Sequence, residues 1–387
     1  MFLLIICALF VFAGLHSART LPGDSGPLIG EKYDQWAGVL RVWVAEEAGP
    51  CVGSPLPWLN RMAAILEKQR PGVYLHLQTV PAEAIRNRED DGLVPPDMIV
   101  YPAGLLTSDR GLVEISTSAP LRQGLPRRGK ALPLLMNACA WIYDTAALPV
   151  LPANLQKVPA ACSPANLNAL AALCTGLRPE EGEKAPLPGV DLGLEGEAAA
   201  TQRPAGSVAC RVSPELSITE SPREAFASGT AQAFVGDLRD LAKMADASGW
   251  AYAVTGEWAY VTEALCCSVL ARQDETAAAR QRLCQEYIEI LLTEGQTDAA
   301  RTGAMPVAVS ASAWSGDPLL AGFEAALDEK RCLCPDFFGN PPDQEQALRF
   351  IAGEISADEA AEALRARIES LARRSFQSPC PRAQQML

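Results

Sequence analysis

The sequence predicts an α/β chain built on parallel strands joined by crossover helices. Three observations between Leu40 and Val100 carry this. Leu40, Val42 and Val44 alternate with polar or bulky neighbours, the period of a strand. Leu59, Met62, Ala63 and Leu66 recur at helical spacing, and Gln69-Arg70-Pro71-Gly72 stops that helix. Val73 to Val80 alternates again, and Met98-Ile99-Val100 is a short buried run. Strand, helix and strand in this order form the pattern of a parallel sheet. In such sheets ligands sit beyond the carboxyl ends of the strands. Those ends are Glu46-Glu47 and Tyr101-Pro102. Glu46, Glu47 and Tyr101 are therefore candidate ligand-binding residues.

Composition bounds the alternatives. A chain of 387 residues holds two domains of ordinary size, and an apolar fraction of 49% supports real cores. A net charge of −13 argues against nucleic-acid binding, which needs clustered Lys and Arg. The densest basic group, Arg127-Arg128-Gly129-Lys130, reads as a solvated loop. Residues 2–15 are an unbroken apolar run, shorter than the roughly 20 residues of a membrane span. The run fits the core of an export signal. Residues 1–18 are thus expected to be a signal peptide or, with no basic residue before the run, a retained N-terminal anchor. Residues 19–36 read as a linker.

Twelve cysteines are spaced irregularly. With Cys7 in the export segment, an odd number remains, so not all can pair within one chain. Cys162 with Cys174, and Cys332 or Cys334 with Cys380, are candidate disulfides. Cys139, Cys266, Cys267 and Cys284 lie in apolar segments and read as small hydrophobes. The only histidines are His16 and His76, and Cys332-Leu333-Cys334 lacks zinc-knuckle spacing. No metal and no cofactor are expected. There is no G-x-S-x-G elbow, phosphate loop or H-E-x-x-H helix. A carboxylate pair from Glu46-Glu47 with Glu257 or Glu263 would define a rival reading, a secreted glycoside hydrolase.

Further along, Leu112 to Ile115 reads as a short strand and Asn166 to Leu177 as a helix. Residues 179–206, rich in Gly, Pro and Glu, read as a flexible surface insertion. A short helix should end near Gly229, a strand run from Ala231 to Val235, and a helix start at Asp237 as N-cap. Trp250, Tyr252, Trp258 and Tyr260 fall within eleven residues, although aromatics are only 6% of the chain. Sugar rings pack their C–H faces on flat aromatic surfaces, so Trp250, Trp258 and Tyr260 join the ligand-binding candidates. Ala264 to Leu270 reads as a strand. Cys284, Tyr287, Ile288 and Leu291 lie on one helix face, and Leu320 to Leu327 is helical. Cys332 to Pro342 reads as a loop. Ser356 and Glu359 make a capping box ahead of the stripe Ala361, Leu364, Ile368 and Leu371. Residues 373–387 read as a loose tail.

Several of these segments resemble bacterial extracellular solute-binding proteins, the capture subunits of ABC importers, of the type that takes sugars and oligosaccharides. The similar stretches are LRVWV, LEKQRPGV and PPDMIVYPAG; Gly129 and Pro133 followed by Ala140 to Asp144; and Phe226, Gly229 and Ala231. The closest run is Leu291, Leu292, Thr293, Glu294, Gln296, Gly303, Pro306 and Val307. Asp144 stands where the family usually has Asn, and Gly295 is an extra residue. The resemblance implies a two-lobed periplasmic-binding-protein-like fold of type II. Each lobe would be a mixed sheet flanked by helices, with the ligand between them. Lobe 1 would be 37–145 with 255–315, and lobe 2 would be 146–254 with 316–372. Tyr143, at the end of the strand leading between lobes, becomes a further ligand-binding candidate. The implied function is capture of a sugar by hinge closure and delivery to importer permease subunits, by an exported, monomeric protein. A membrane-anchored sensor of the same fold is the other rival reading.

Overall fold

The computed structural model describes residues 36–88, 94–152, 158–175, 216–245, 247–309, 311–334, 337–338 and 344–377. The expected export segment 1–18, the linker up to residue 35 and the insertion 179–206 lie outside them, as do Cys210 and Cys380.

The amino-terminal third folds as its periodicities predict. Strand β1 (Gly38–Ala45) is followed by α1 (Leu56–Gln69), β2 (Val73–Val80), α2 (Ala82–Asn87) and β3 (Met98–Pro102). β1 pairs in parallel with β2 on one side and β3 on the other. Helix α1 turns Trp58, Leu59, Met62, Ala63 and Leu66 into the core. Burying the four larger side chains contributes roughly 8 kcal/mol before entropy is counted. Two buried hydrogen bonds fix it from a distant segment. Trp58 Nε1 donates to the Gly295 carbonyl at 2.9 Å, and the Tyr287 hydroxyl donates to the Leu59 carbonyl at 2.8 Å. At the amino end of β3, buried Asp97 accepts from the Arg41 amide and from Arg280, each at 2.9 Å, and pairs with Arg272.

The next elements are β4 (Ile115–Ser116) and β5 (Arg128–Gly129), which form a two-stranded ladder, and then β6 (Leu132–Asp144). After β6 come β7 (Ala160–Cys162), α3 (Leu167–Leu173), β8 (Leu216–Ile218), α4 (Pro222–Ala227), β9 (Ala233–Asp237), α5 (Leu238–Met244), β10 (Trp250–Ala253) and β11 (Trp258–Val269). The chain continues through α6 (Ala277–Leu292), a 3-10 segment Glu294–Thr302, β12 (Met305–Pro306), α7 (Pro318–Asp328), β13 (Arg331–Leu333), α8 (Glu345–Ile351) and α9 (Ala357–Gln377). Among the described residues, no helix is long and apolar enough to cross a membrane.

Two strands belong to both lobes. The first half of β6 pairs with β11 and β12, while its second half pairs with β9 and β10. β11 pairs with β13 at its start, then with β6 and β3. Partners change between Ala138 and Cys139 on β6 and next to Val261 on β11. The boundaries implied by the resemblance, 145/146 and 254/255, lie at or just beyond strand ends nearby. The register slips by one residue between Val261 and Glu263, and the extra residue, Thr262, donates from its hydroxyl to the Asn137 carbonyl at 3.3 Å. Such a bulge bends a strand where it passes from one sheet to the next.

Lobe 2 is built on β8, β7, β9, the end of β6 and β10. Its core holds Trp141, Val235, Leu170, Phe350 and Leu364 around α3, all of whose side chains are buried. A third connection between the lobes is pinned by Arg122, which is 1% exposed. Its guanidinium donates to the Pro306 carbonyl at 3.1 Å and the Glu324 carbonyl at 3.2 Å, and pairs with Asp328 on α7. Burial lowers the Arg122 pKa, and Asp328 opposes that shift.

Several elements differ from expectation. The segment expected as a loop from Cys332 contains β13, because Cys332 and Leu333 are buried against β11. The strand expected from Ala264 starts at Trp258, and the one expected at 231–235 runs 233–237. The helix expected over 166–177 opens as a 3-10 turn at Pro164, and the last helix continues through Gln377 into the expected tail. No disulfide joins Cys162 to Cys174.

Gly124 is required where the lobes meet. Its φ is +93°, and a Cβ there would lie 2.2 Å from the Cys332 carbonyl oxygen, where the Cys332 amide donates to the Gln123 carbonyl at 2.7 Å. Gly124→Ala is expected to cost about 3 kcal/mol from left-handed strain and overpacking, read as a lower urea midpoint. A loss below about 0.5 kcal/mol, the range of an ordinary surface substitution, would contradict this packing.

Candidate functional site

The polar groups at the lobe crossing descend from one residue of β6. The run from Leu132 to Tyr143 is apolar except for Asn137, which is fully buried. A buried amide must be bonded. Asn137 Nδ2 donates to Asp237 Oδ2 at 2.8 Å, and its Oδ1 accepts from the Leu238 amide at 3.2 Å. Asp237 ends β9 and caps α5 in a capping box with Asp240, accepting from the amides of Arg239 and Asp240. The cap aims Arg239 back over the crossing. Arg239 Nη2 pairs with Asp237 at 2.8 Å and with Glu263 Oε1 at 2.9 Å. Glu263 lies on β11 opposite Asn137, directly after the bulge. Arg239 thus joins a lobe 2 helix to a strand shared by both lobes.

Lobe 1 supplies the other wall. Residues 46–53 fold over the end of β3 and the middle of β11. Gly49 sits against Pro102 and Ala264, and the Val52 amide donates to the Thr302 carbonyl at 2.7 Å. The Cys51 thiol bonds Thr302 and is pushed up to about 12 by burial, with the Glu263 charge adding to the shift. Burial raises the Glu263 carboxyl above its ordinary range, against the pull of Arg239. Its Oε2 is buried with no hydrogen-bond partner among the described residues. Burial and the Asp237 charge likewise raise Asp240. Burial opposes the charge on Arg239, but Asp237 and Glu263 hold its pKa above the ordinary value. The arrangement offers fixed, partly exposed donors and acceptors. Among the described residues, no group of His, Cys, Asp and Glu is placed to hold a metal.

The residues expected to bind ligand do not converge here. Glu46 and Glu47 are exposed at the end of β1, on the side of the crossing. Tyr101 is fully buried, its hydroxyl bonded to Ser268 at 2.8 Å, so it lines no surface. Tyr143 and Tyr260 belong to the lobe 2 core, and Tyr260 bonds the Asn168 side chain. Trp258 is half-buried, with the Arg331 guanidinium 5.5 Å from its ring centroid. Trp250 pairs with Asp144 at the far end of β6 from the crossing. The aromatic cluster of the sequence lies on two different strands, and the fold disperses it. The residues missed were Asn137 and Arg239. Asn137 was detectable as the single polar side chain in an otherwise apolar strand.

No family model and no curated protein matches the chain. Solved structures do. An extracellular solute-binding protein from Staphylococcus aureus in complex with maltose shares 12% identity, covers 88% of this chain and 99% of its own, and has a TM-score of 0.54. The cyclic α-maltosyl-1,6-maltose binding protein from Arthrobacter globiformis shares 12% identity, with 88% and 100% coverage and a TM-score of 0.51. A cyclo/maltodextrin-binding protein complexed with maltotetraose shares 14%, with 90% and 99% coverage and a TM-score of 0.51. The chain has their two-lobed fold. At such identities the likeness is one of fold, and it spans nearly the whole of each neighbour.

The raised Glu263 pKa fixes the sign of a pH effect. A carboxyl whose pKa is higher folded than unfolded stabilises the fold most below the unfolded value, and that contribution is lost as pH rises through the folded value. Urea unfolding of wild type and Glu263→Gln between pH 4 and 8 should show the wild type losing stability relative to the variant as pH rises. A flat difference, or one of opposite sign, would refute the assigned shift.

Proposed function

We propose that this protein is an extracytoplasmic solute-binding protein that captures a sugar or oligosaccharide between its lobes and delivers it to an ABC importer. The observation that carries this reading is the pair of sheets sharing β6 and β11, in a fold matched over nearly full length by sugar-binding proteins. The apolar run at residues 2–15 supports export. The neighbours are described as binding proteins, which favours binding without turnover.

In this reading the two lobes pivot about β6, β11 and the connection pinned by Arg122. Ligand contacts made by both lobes exist only in the closed state, so ligand shifts the population toward it. Glu46 and Glu47 supply hydrogen-bonding groups from lobe 1, and Arg239 and Glu263 supply them at the crossing. Sugar hydroxyls both donate and accept, which suits a guanidinium–carboxylate pair. The permease recognises the closed form.

Thermal unfolding with maltodextrins and other oligosaccharides tests this. A captured sugar present at about 100 times its Kd should stabilise the fold by roughly 2.7 kcal/mol and be recovered intact. Arg239→Met should weaken binding by about tenfold, near 1.4 kcal/mol. Cleavage of the sugar would overturn the non-enzymatic reading. The absence of a shift with every sugar would overturn the carbohydrate assignment.

A further inference from the structure

The far end of lobe 2 carries a concavity that hinge closure does not use. Asp144 lies six residues beyond Ala138 on β6, about 20 Å from the lobe crossing at strand spacing. A cavity of about 680 Å³ opens there, among α4, the end of α5 and the starts of β9 and β10. That volume is within the usual range for a small-molecule site. Trp250 forms part of its wall. The indole Nε1 donates to the Met244 carbonyl at 2.9 Å and the Ala247 carbonyl at 3.0 Å. The ring is therefore held in place, and its polar edge is satisfied. Phe226 also lines the cavity, packed at 5.1 Å against Phe234.

Among the described residues the charged lining is balanced, with Arg223 and Lys243 against Glu224 and Asp144. It selects neither a cation nor an anion. Arg223 and Lys243 lie within electrostatic reach of the Asp240 carboxylate, but among the described residues the side chains of Arg223, Lys243 and Glu224 form no hydrogen bond or close ion pair, so their donors and acceptors are open to a ligand. A fixed aromatic wall within a ring of unused polar groups suits a ligand with apolar C–H faces and a hydroxyl rim.

We infer that lobe 2 carries a second site, centred on Trp250, for a short neutral oligosaccharide. It binds without hinge closure, because lobe 1 lies at the opposite end of the shared strands. The inference stands apart from the proposed capture of a sugar between the lobes.

Saturation-transfer NMR on the full chain tests it, with maltotriose, cellotriose and chitotriose as probes at up to about 20 mM, which reaches Kd values in the millimolar range. At least one trisaccharide should give transfer signals that Trp250→Ala reduces, with its Kd raised tenfold or more. Arg223→Ala, at a half-buried helix position, should weaken the same signals and guards against a folding defect in the first variant. Signals unchanged in both variants would mean that the sugar binds elsewhere, and would overturn the second site. Silence from all three probes would overturn it as well. If the cleft takes no sugar, the tip site alone gives signals and Trp250→Ala removes them all, so the two readings fail separately.

Discussion

Two strands that each serve two sheets are the constraint on which this molecule depends. β6 and β11 run antiparallel through both lobes, so neither lobe can be completed without the other's strand. The pairing slips between Leu265 and Cys266 and at Thr262, where one extra residue bends β11. Asn137 and Glu263 face each other beside that bend, and the cap of α5 is bonded to the same amide. The position of α5, and hence of Arg239, is thus set by a single polar residue in an apolar strand.

The polar chemistry of the crossing follows from this placement. Asp237 is occupied three ways, as helix cap, as acceptor for Asn137 and as partner of Arg239. Glu263 shares Arg239 and is left with one buried oxygen without a partner among the described residues. A half-satisfied carboxylate beside a half-exposed guanidinium is costly to maintain unless something completes it. In the proposed cycle, sugar hydroxyls meet the exposed part of this pair.

Local signals were legible in the sequence, and long-range sharing was not. α1, α6 and the cap at Asp237 follow from periodicity and side-chain type within a few residues. The Ser356–Glu359 box also forms as read, with Glu359 accepting from the Ser356 amide at 2.7 Å. A strand buried on both faces is an unbroken apolar run, and nothing in such a run says which half pairs with which lobe. The aromatic candidates are dispersed for a related reason. Trp250 and Tyr260 are ten positions apart, yet one faces a cavity at the tip of lobe 2 and the other the lobe 2 core. Tyr101 sits one residue short of the end of β3, where its ring packs inward to reach Ser268. Chain proximity and strand-end position gave the candidates, and the pleat decided where each side chain went.

Small-angle X-ray scattering of the full chain, free and saturated with maltotetraose, reports whether the lobes close on a sugar. Capture between lobes that pivot on β6 and β11 predicts a smaller radius of gyration and a contracted pair-distance distribution in the saturated sample. Identical profiles at saturation would mean that the sugar binds without drawing the lobes together, and would overturn capture by closure.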